Sequence, residues 1–286
     1  MSPAHTPTIR PSAIAGKWYP ANAQALRHSV EGYLGACEAV PLPGPVLALV
    51  SPHAGYAYSG ATAAHAYAQV RGADFRRVIL LGPLHRLIPG SRLGPFMTPL
   101  EDAYRTPLGD VPVDRAFITE LGKRVNLTAV HGDEEHALEI ELPFLQVALG
   151  PFTLVPIMLG EHISEPGAAA RLEALAVTLA ALCDAHTLMV ASTDLSHMDN
   201  YADVVRTDRR LVDLVGAFDV DGLARALAAG DVQACGATGL VTVLKAAQRR
   251  GARGAQVLSY ASSGDVTGNK HPGMYTVGYL AAAVYA

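Results

Sequence analysis

The stretch Val46-Leu47-Ala48-Leu49-Val50-Ser51-Pro52-His53 is an apolar run that stops at a proline-stiffened polar loop carrying a histidine. The pattern recurs at Val78-Ile79-Leu80-Leu81-Gly82-Pro83-Leu84-His85 and at Leu188-Met189-Val190-Ala191-Ser192-Thr193-Asp194-Leu195-Ser196-His197. Short continuous apolar runs bounded by turn signals read as buried strands of a parallel sheet. In open α/β sheets the ligand crevice lies outside the carboxyl ends of such strands. If these strands share one sheet, His53, His85 and His197 converge on one rim. Imidazoles gathered in this way bind a transition metal or move protons.

The remainder of the chain alternates helical and strand patterns. Helices are expected over 22–36, with Asn22 as N-cap, and over 113–124, 134–146, 166–185, 201–218, 222–229 and 236–250. Ser59 is expected to cap a helix that runs through Tyr67, and Pro143 to kink the helix over 134–146. Further strands are expected over 153–158, 257–261 and 275–284. The Gly- and Pro-rich stretch 88–108 reads as a hairpin or lid over the same rim. This alternation implies a three-layer α/β/α sandwich around a central, largely parallel or mixed sheet. No linker or internal repeat divides residues 1–286, so one domain is expected.

Composition sets the outer bounds. Half of the 286 residues are hydrophobic and 17% are charged, which suits a packed core rather than disorder. A net charge of −4 and a pI near 6.2 offer no basic stripe for nucleic acid. No apolar stretch is long enough to span a bilayer, and no run of Lys or Arg suggests an acidic membrane partner. Cys37, Cys183 and Cys235 are too few and too scattered for a disulfide framework, so a reduced, cytoplasmic location is expected.

Each candidate residue has a plain reading beside a chemical one. His53 and His85 could each be a loop histidine bonded to a carbonyl; their equivalent positions at strand ends argue for a shared role. Asp194 either orients His197 as an acid/base or caps the helix that follows. Cys235, in Ala-Cys-Gly-Ala-Thr-Gly, precedes a helix. A helix N-terminus favours thiolate, which is a metal ligand or nucleophile; the alternative is a small packing residue. His136, in Asp-Glu-Glu-His-Ala-Leu-Glu-Ile-Glu, shares a helix face with Glu139 and reads as part of a solvated charged face. Trp18, in Gly-Lys-Trp-Tyr-Pro, belongs to a shaped turn that closes the N-terminal arm onto the body or lines a pocket. There is no Walker loop, Gly-x-Gly-x-x-Gly fingerprint, His-Glu-x-x-His motif or Gly-x-Ser-x-Gly elbow. Two histidines with a carboxylate suit ferrous iron, whereas a thiolate in the third place shifts preference toward copper or zinc.

Taken together, Gly16-Lys17-Trp18-Tyr19-Pro20, Pro52-His53-Ala54-Gly55-Tyr56, Leu81-Gly82-Pro83-Leu84-His85, Glu135-His136-Ala137-Leu138-Glu139, Ser192 to His197 and Cys235-Gly236 resemble the motifs of the Memo family. That family includes the eukaryotic mediator of cell motility and the AmmeMemoRadiSam system protein B. It is similar to the catalytic subunit of class III extradiol dioxygenases, which use non-haem Fe(II), and the resemblance implies their fold. It also implies that His53, His85 and Cys235 bind a metal, with Fe(II) first and Cu or Zn as alternatives. Asp194 and His197 match adjacent pocket positions, His197 being placed like an acid/base. Trp18, Tyr56 and His136 are further pocket candidates. Where the ring-cleaving enzymes use a third, carboxylate ligand, this chain has Cys235. The implied function is a metal-dependent redox enzyme acting on an unknown small molecule or protein; the alternative is a non-catalytic peptide- or protein-binding module using the same pocket. Radical SAM and AMMECR-type proteins are the implied partners.

Overall fold

The computed structural model describes residues 7–86 and 94–286. The first elements are β1 (Ile9–Arg10), α1 (Ala23–Gly35), β2 (Val46–Ser51), α2 (Tyr56–Ala68) and β3 (Arg77–Pro83). Next come β4 (Phe96–Pro99), β5 (Ala103–Thr106), β6 (Gly109–Pro112), α3 (Arg115–Gly122), β7 (Leu127–Val130), α4 (His136–Glu139) and α5 (Leu142–Leu149). The chain continues through β8 (Thr153–Leu159), α6 (Ala168–Leu182), β9 (Thr187–Ser192), β10 (Asp194–Met198), α7 (Tyr201–Gly216) and α8 (Val220–Ala229). It closes with α9 (Ala237–Arg249), β11 (Gly254–Ser262), α10 (Ser263–Thr267) and β12 (Thr276–Tyr285).

A mixed sheet runs in the order β10-β12-β2-β9-β3-β8-β4-β7, and β11 also pairs with β12. Its centre, β2, β9, β3 and β8, is parallel. The pleat sends alternate residues to opposite faces. On β3, Ile79 and Leu81 join one apolar core while Val78 and Leu80 join the other; Met189 and Ala191 on β9 are divided in the same way from Leu188 and Val190. Residues from α3, α6, α7, α8 and α9 complete the first core, and those from α1, α2, α4 and α5 the second. The architecture is thus α/β, with helices covering both faces of one large sheet. A small sheet, β1-β5-β6, carries the N-terminal arm.

Register aligns the strand ends. Ser51 of β2 lies opposite Ser192 of β9, and Leu81 of β3 opposite Ala191. Loops leaving these three strands therefore start at one level, as the sequence pattern requires. Two glycines allow other elements close to that level. A Cβ on Gly82 would lie 2.9 Å from Leu138 Cδ2 of α4, and one on Gly236 would lie 2.4 Å from the Ser192 carbonyl. The first close approach brings His136 to the rim and the second brings Cys235.

Several local expectations change. Asn22 caps α1 through Ala25 N–H as expected. Helix α2 begins at Tyr56, before Ser59, whose hydroxyl donates to the Ala54 carbonyl at 2.9 Å. The helix expected over 134–146 is two short ones, and Pro143 sits in the first turn of α5, where a missing N–H costs nothing. Part of 88–108 joins the sheets as β4 and β5; residues 88–93 of that expected hairpin or lid lie outside the described residues. His197, expected on a loop, lies in β10, where it pairs with Val277 of β12. Among the described residues, no helix is long and apolar enough to cross a membrane.

Candidate metal centre

Two residues beyond β2, His53 is 2% exposed. Its backbone N–H donates to Asp194 Oδ1 at 2.8 Å, and its Nδ1 lies 2.9 Å from Ser192 Oγ. His85, beyond β3, is held by Glu135: its N–H donates to Oε2 at 2.5 Å and its Nδ1–H to Oε1 at 3.0 Å. Glu135 also accepts the N–H groups of His136 and Ala137, each at 2.9 Å, and so caps α4. Burial opposes its ionisation, but the His85 hydrogen bond, the His136 charge and the helix N–H hold this carboxylate down to about 2.

His136 completes the group. Among the described residues, His53, His85 and His136 form a set of donors whose ligand atoms lie within 4.8 Å of one another. The rings of His85 and His136 stack at 4.6 Å and 16°, and His53 stands edge-on to His85 at 5.2 Å. His136 Nδ1 is buried and makes no hydrogen bond of good geometry among the described residues, though it lies 3.3 Å from Glu135 Oε1. Burial, and then the neighbouring imidazoles, push His53 well below its ordinary value. Burial likewise outweighs the Glu135 charge and pulls His136 down to about 4. Neutral imidazoles present lone pairs, and ring nitrogens gathered in a buried site suit a cation.

Cys235 reaches His53 from the loop before α9. Its Sγ is 3.0 Å from His53 Nε2 and accepts the Asp194 N–H at 3.3 Å, but it is not a member of the three-donor set. The helix N-terminus does not make it a ready thiolate. Burial, followed by the Asp194 charge, pushes the thiol well above its ordinary value. Burial lifts Cys183 too, to about 11, so neither is a free thiolate near neutrality. A cation bound beside His53 would reverse this, since a coordinating thiol is deprotonated outright.

The expected Asp194–His197 pairing does not form. Asp194 turns toward His53, and burial raises its carboxyl to about 7 against the His53 and Ala54 N–H groups. His197 Nδ1 instead lies 2.9 Å from the Leu195 carbonyl and donates to it. Strand pairing of Asp194 with Tyr279 directs these two side chains to different neighbours.

His53, His85, His136, Asp194 and His197 all line a cavity of about 750 Å³, with Lys17, Trp18, Tyr58, Tyr275 and Tyr279 among the other walls. Trp18 comes from a tight turn in which Gly16 has φ +79°, and its ring lies 4.3 Å from that of His136. Tyr56, expected in the pocket, is a core residue. It is 5% exposed, packs on Phe144 and donates to the Ile140 carbonyl at 2.8 Å; its neighbour Tyr58 reaches the cavity instead. Cys235 and His197 both face a second cavity, of about 460 Å³.

The stretch read as a solvated charged face is buried. Glu135, His136, Glu139 and Glu141 are each at most 9% exposed. Glu139 accepts Arg10 Nη1–H at 2.7 Å, Tyr19 O–H at 2.7 Å and Ser12 O–H at 2.5 Å, which binds the N-terminal arm to α4. Sequence reasoning missed Glu135, Glu139 and Glu141. A usable signal was present: Ala137, Leu138, Ile140 and Leu142 point around the helix in too many directions to leave a wet face.

Because Glu135 fixes the ring of His85 and leaves Nε2 to the site, Glu135→Gln should weaken metal binding about 10–100-fold. Titration calorimetry with Zn(II) on the folded variant checks this; unchanged affinity would show that His85 needs no outer support.

The profile of the family described as Memo-like protein matches residues 10–283. A MEMO1 family protein of Methanococcoides burtonii is 33% identical over 282 residues, covering 96% of this chain and 100% of that one. Another from Methanopyrus kandleri is 33% identical over 291 residues, covering 95% and 97%. One from Thermotoga maritima is 32% identical over 291 residues, covering 96% and 99%. An uncharacterized protein of Escherichia coli K12 of solved structure aligns with a TM-score of 0.43 at 15% identity, over 82% of this chain and 99% of that one, too distant a likeness to support any argument. With a family match running from β1 almost to the end of β12, and relatives of equal length at a third identity, the chain belongs to the Memo-like protein family.

Proposed function

We propose that this protein binds one transition-metal ion at His53 and His85, with Cys235 as third ligand and His136 within reach, and acts as a metal-dependent redox enzyme on a ligand held in the adjoining cavity. Iron is the first choice of metal, with copper or zinc as alternatives. The observation that supports it best is the set of three imidazoles whose donor atoms lie within 4.8 Å of one another at the cavity wall. Glu135 behind His85 adds the outer carboxylate that histidine ligands characteristically use. When bound, the ion would supply Lewis acidity and electron transfer.

The chain's own residues do the rest. With Nδ1–H donated to the Leu195 carbonyl, a neutral His197 has Nε2 free to accept a proton from the ligand or return it. Trp18 and the cavity tyrosines give the ligand apolar surface, and Lys17 sets a positive charge at the wall. A second reading, a peptide- or protein-binding module, is favoured by exposed side chains lining the same cavity: Tyr58 at 47% and Tyr275 at 61%. Radical SAM and AMMECR-type proteins are the proposed partners.

Anaerobic purification, metal analysis and an oxygen-uptake screen on catechols test the enzyme reading. Loading with Co(II) tests the ligand set, because a thiolate ligand gives a charge-transfer band. The expected result is near one metal per chain and a band lost in Cys235→Ser. Full metal content with no thiolate band would assign the third position to His136. No metal and no uptake, with a peptide captured at the cavity, would leave the binding-module reading.

A further inference from the structure

Glu141 is a carboxyl group that the proposed chemistry does not use. It is 1% exposed, and its described partners are all hydroxyls. Oε2 accepts Ser51 O–H at 2.8 Å and Tyr67 O–H at 2.6 Å. Oε1 lies 2.9 Å from Ser192 Oγ, the atom that also contacts His53 Nδ1.

Counting hydrogens around Ser192 decides the arrangement. Its Oγ has three close neighbours: the Ala137 carbonyl at 2.6 Å, His53 Nδ1 at 2.9 Å and Glu141 Oε1 at 2.9 Å. A hydroxyl has one hydrogen to give and two lone pairs to receive with. The Ala137 carbonyl can only accept, and it is the nearest of the three, so the serine hydrogen goes there. Both remaining neighbours must then be donors. An ionised Glu141 has nothing to donate, and it would compete with the Ala137 carbonyl for a single hydrogen.

We propose that Glu141 is held as the neutral acid and donates through Oε1–H to Ser192, and that the pair acts as a positioning unit that locks His53 with its hydrogen on Nδ1. A neutral ring in that state turns a bare Nε2 toward the site, where it lies 3.0 Å from Cys235 Sγ. Burial lifts the Glu141 carboxyl to about 7, in the same direction. The unit spans the ends of β2 and β9 through Ser51 and Ser192, so the strand register that gathers the site also fixes the tautomer of its most buried histidine. The consequence for metal affinity rests on the proposed metal centre; the protonation and the tautomer do not.

Metal-free protein therefore gives the decisive measurements. At pH 6, infrared difference spectroscopy with ¹³C-labelled glutamate should show the carbonyl stretch of a protonated carboxylic acid that is absent from Glu141→Gln. In ¹⁵N-histidine-labelled protein, His53 should be the Nδ1–H tautomer. Glu141→Gln should keep that tautomer, because its amide N–H replaces the acid as donor to Ser192. Ser192→Ala should lose the single tautomer and bind Zn(II) about 10–100-fold more weakly. Absence of the acid band in wild-type protein overturns the proposal, as does a Ser192→Ala variant with an unchanged His53 tautomer. If the band and tautomer are as stated but no variant affects zinc, the positioning unit stands and the metal centre fails.

Discussion

His53→Ala and His85→Ala are each expected to remove most metal binding, a loss larger than the about 10–100-fold that follows removal of an outer-shell partner. Both residues belong to the three-donor set and both are anchored through the backbone as well as the ring, His53 by Asp194 and Ser192 and His85 by Glu135. His197→Ala should behave differently. It lines the cavity but stands outside the donor set, tied by Nδ1 to the Leu195 carbonyl. Metal affinity should stay within about tenfold, or 1.4 kcal/mol. Turnover, once a substrate is found, should fall about 10²–10⁴-fold, the contribution of a positioned acid/base. Paired metal titration and activity measurements on the three variants check this. Equal loss of metal from His197→Ala and His53→Ala would make His197 a ligand.

The second large effect concerns stability. Arg10 has a fully buried side chain and donates to Asp133 at 2.9 Å, Glu139 at 2.7 Å and the Glu135 carbonyl at 2.7 Å, with its guanidinium 4.6 Å from the Tyr104 ring centre. Replacing both sides of a buried ion pair by apolar groups is often neutral, but removing one partner leaves an uncompensated buried charge. Arg10→Met strands two carboxyl groups and should cost about 3–5 kcal/mol. Arg10→Lys should recover little, because one ammonium on a flexible stem cannot reproduce a planar fork with three separate acceptors. Urea unfolding of the wild type and both variants measures the effect. A change of less than about 1 kcal/mol for Arg10→Met would show that Asp133 and Glu139 take up protons without penalty. Since the Arg10 network also carries the turn with Trp18, Arg10→Met should increase the exposure of tryptophan to solvent quenchers.

Apolar runs ending at Pro52-His53, Pro83-Leu84-His85 and Ser192-Thr193-Asp194 were enough to place three parallel strands with histidines beyond them. The reason is local: a strand buried on both faces must be continuously apolar, and its end must be polar and turn-rich. The Asn22 cap and the helix after Cys235 were legible for the same kind of reason. Charge at positions 133–141 misled, because acids and a histidine among apolar residues look the same whether their partners are water or a buried arginine 123 to 129 residues away. Only the tertiary structure supplied Arg10, Ser12 and Tyr19 for Glu139, and His85 for Glu135. It alone decided that Asp194 serves His53 rather than His197, that Tyr56 belongs to the core, and that burial raises the Cys235 thiol where a helix end would have lowered it. Sequence specifies which residues can end a strand or cap a helix. Which imidazole meets which carboxylate is set by strand register and by close approaches at Gly82 and Gly236, and these exist only once the sheet is assembled.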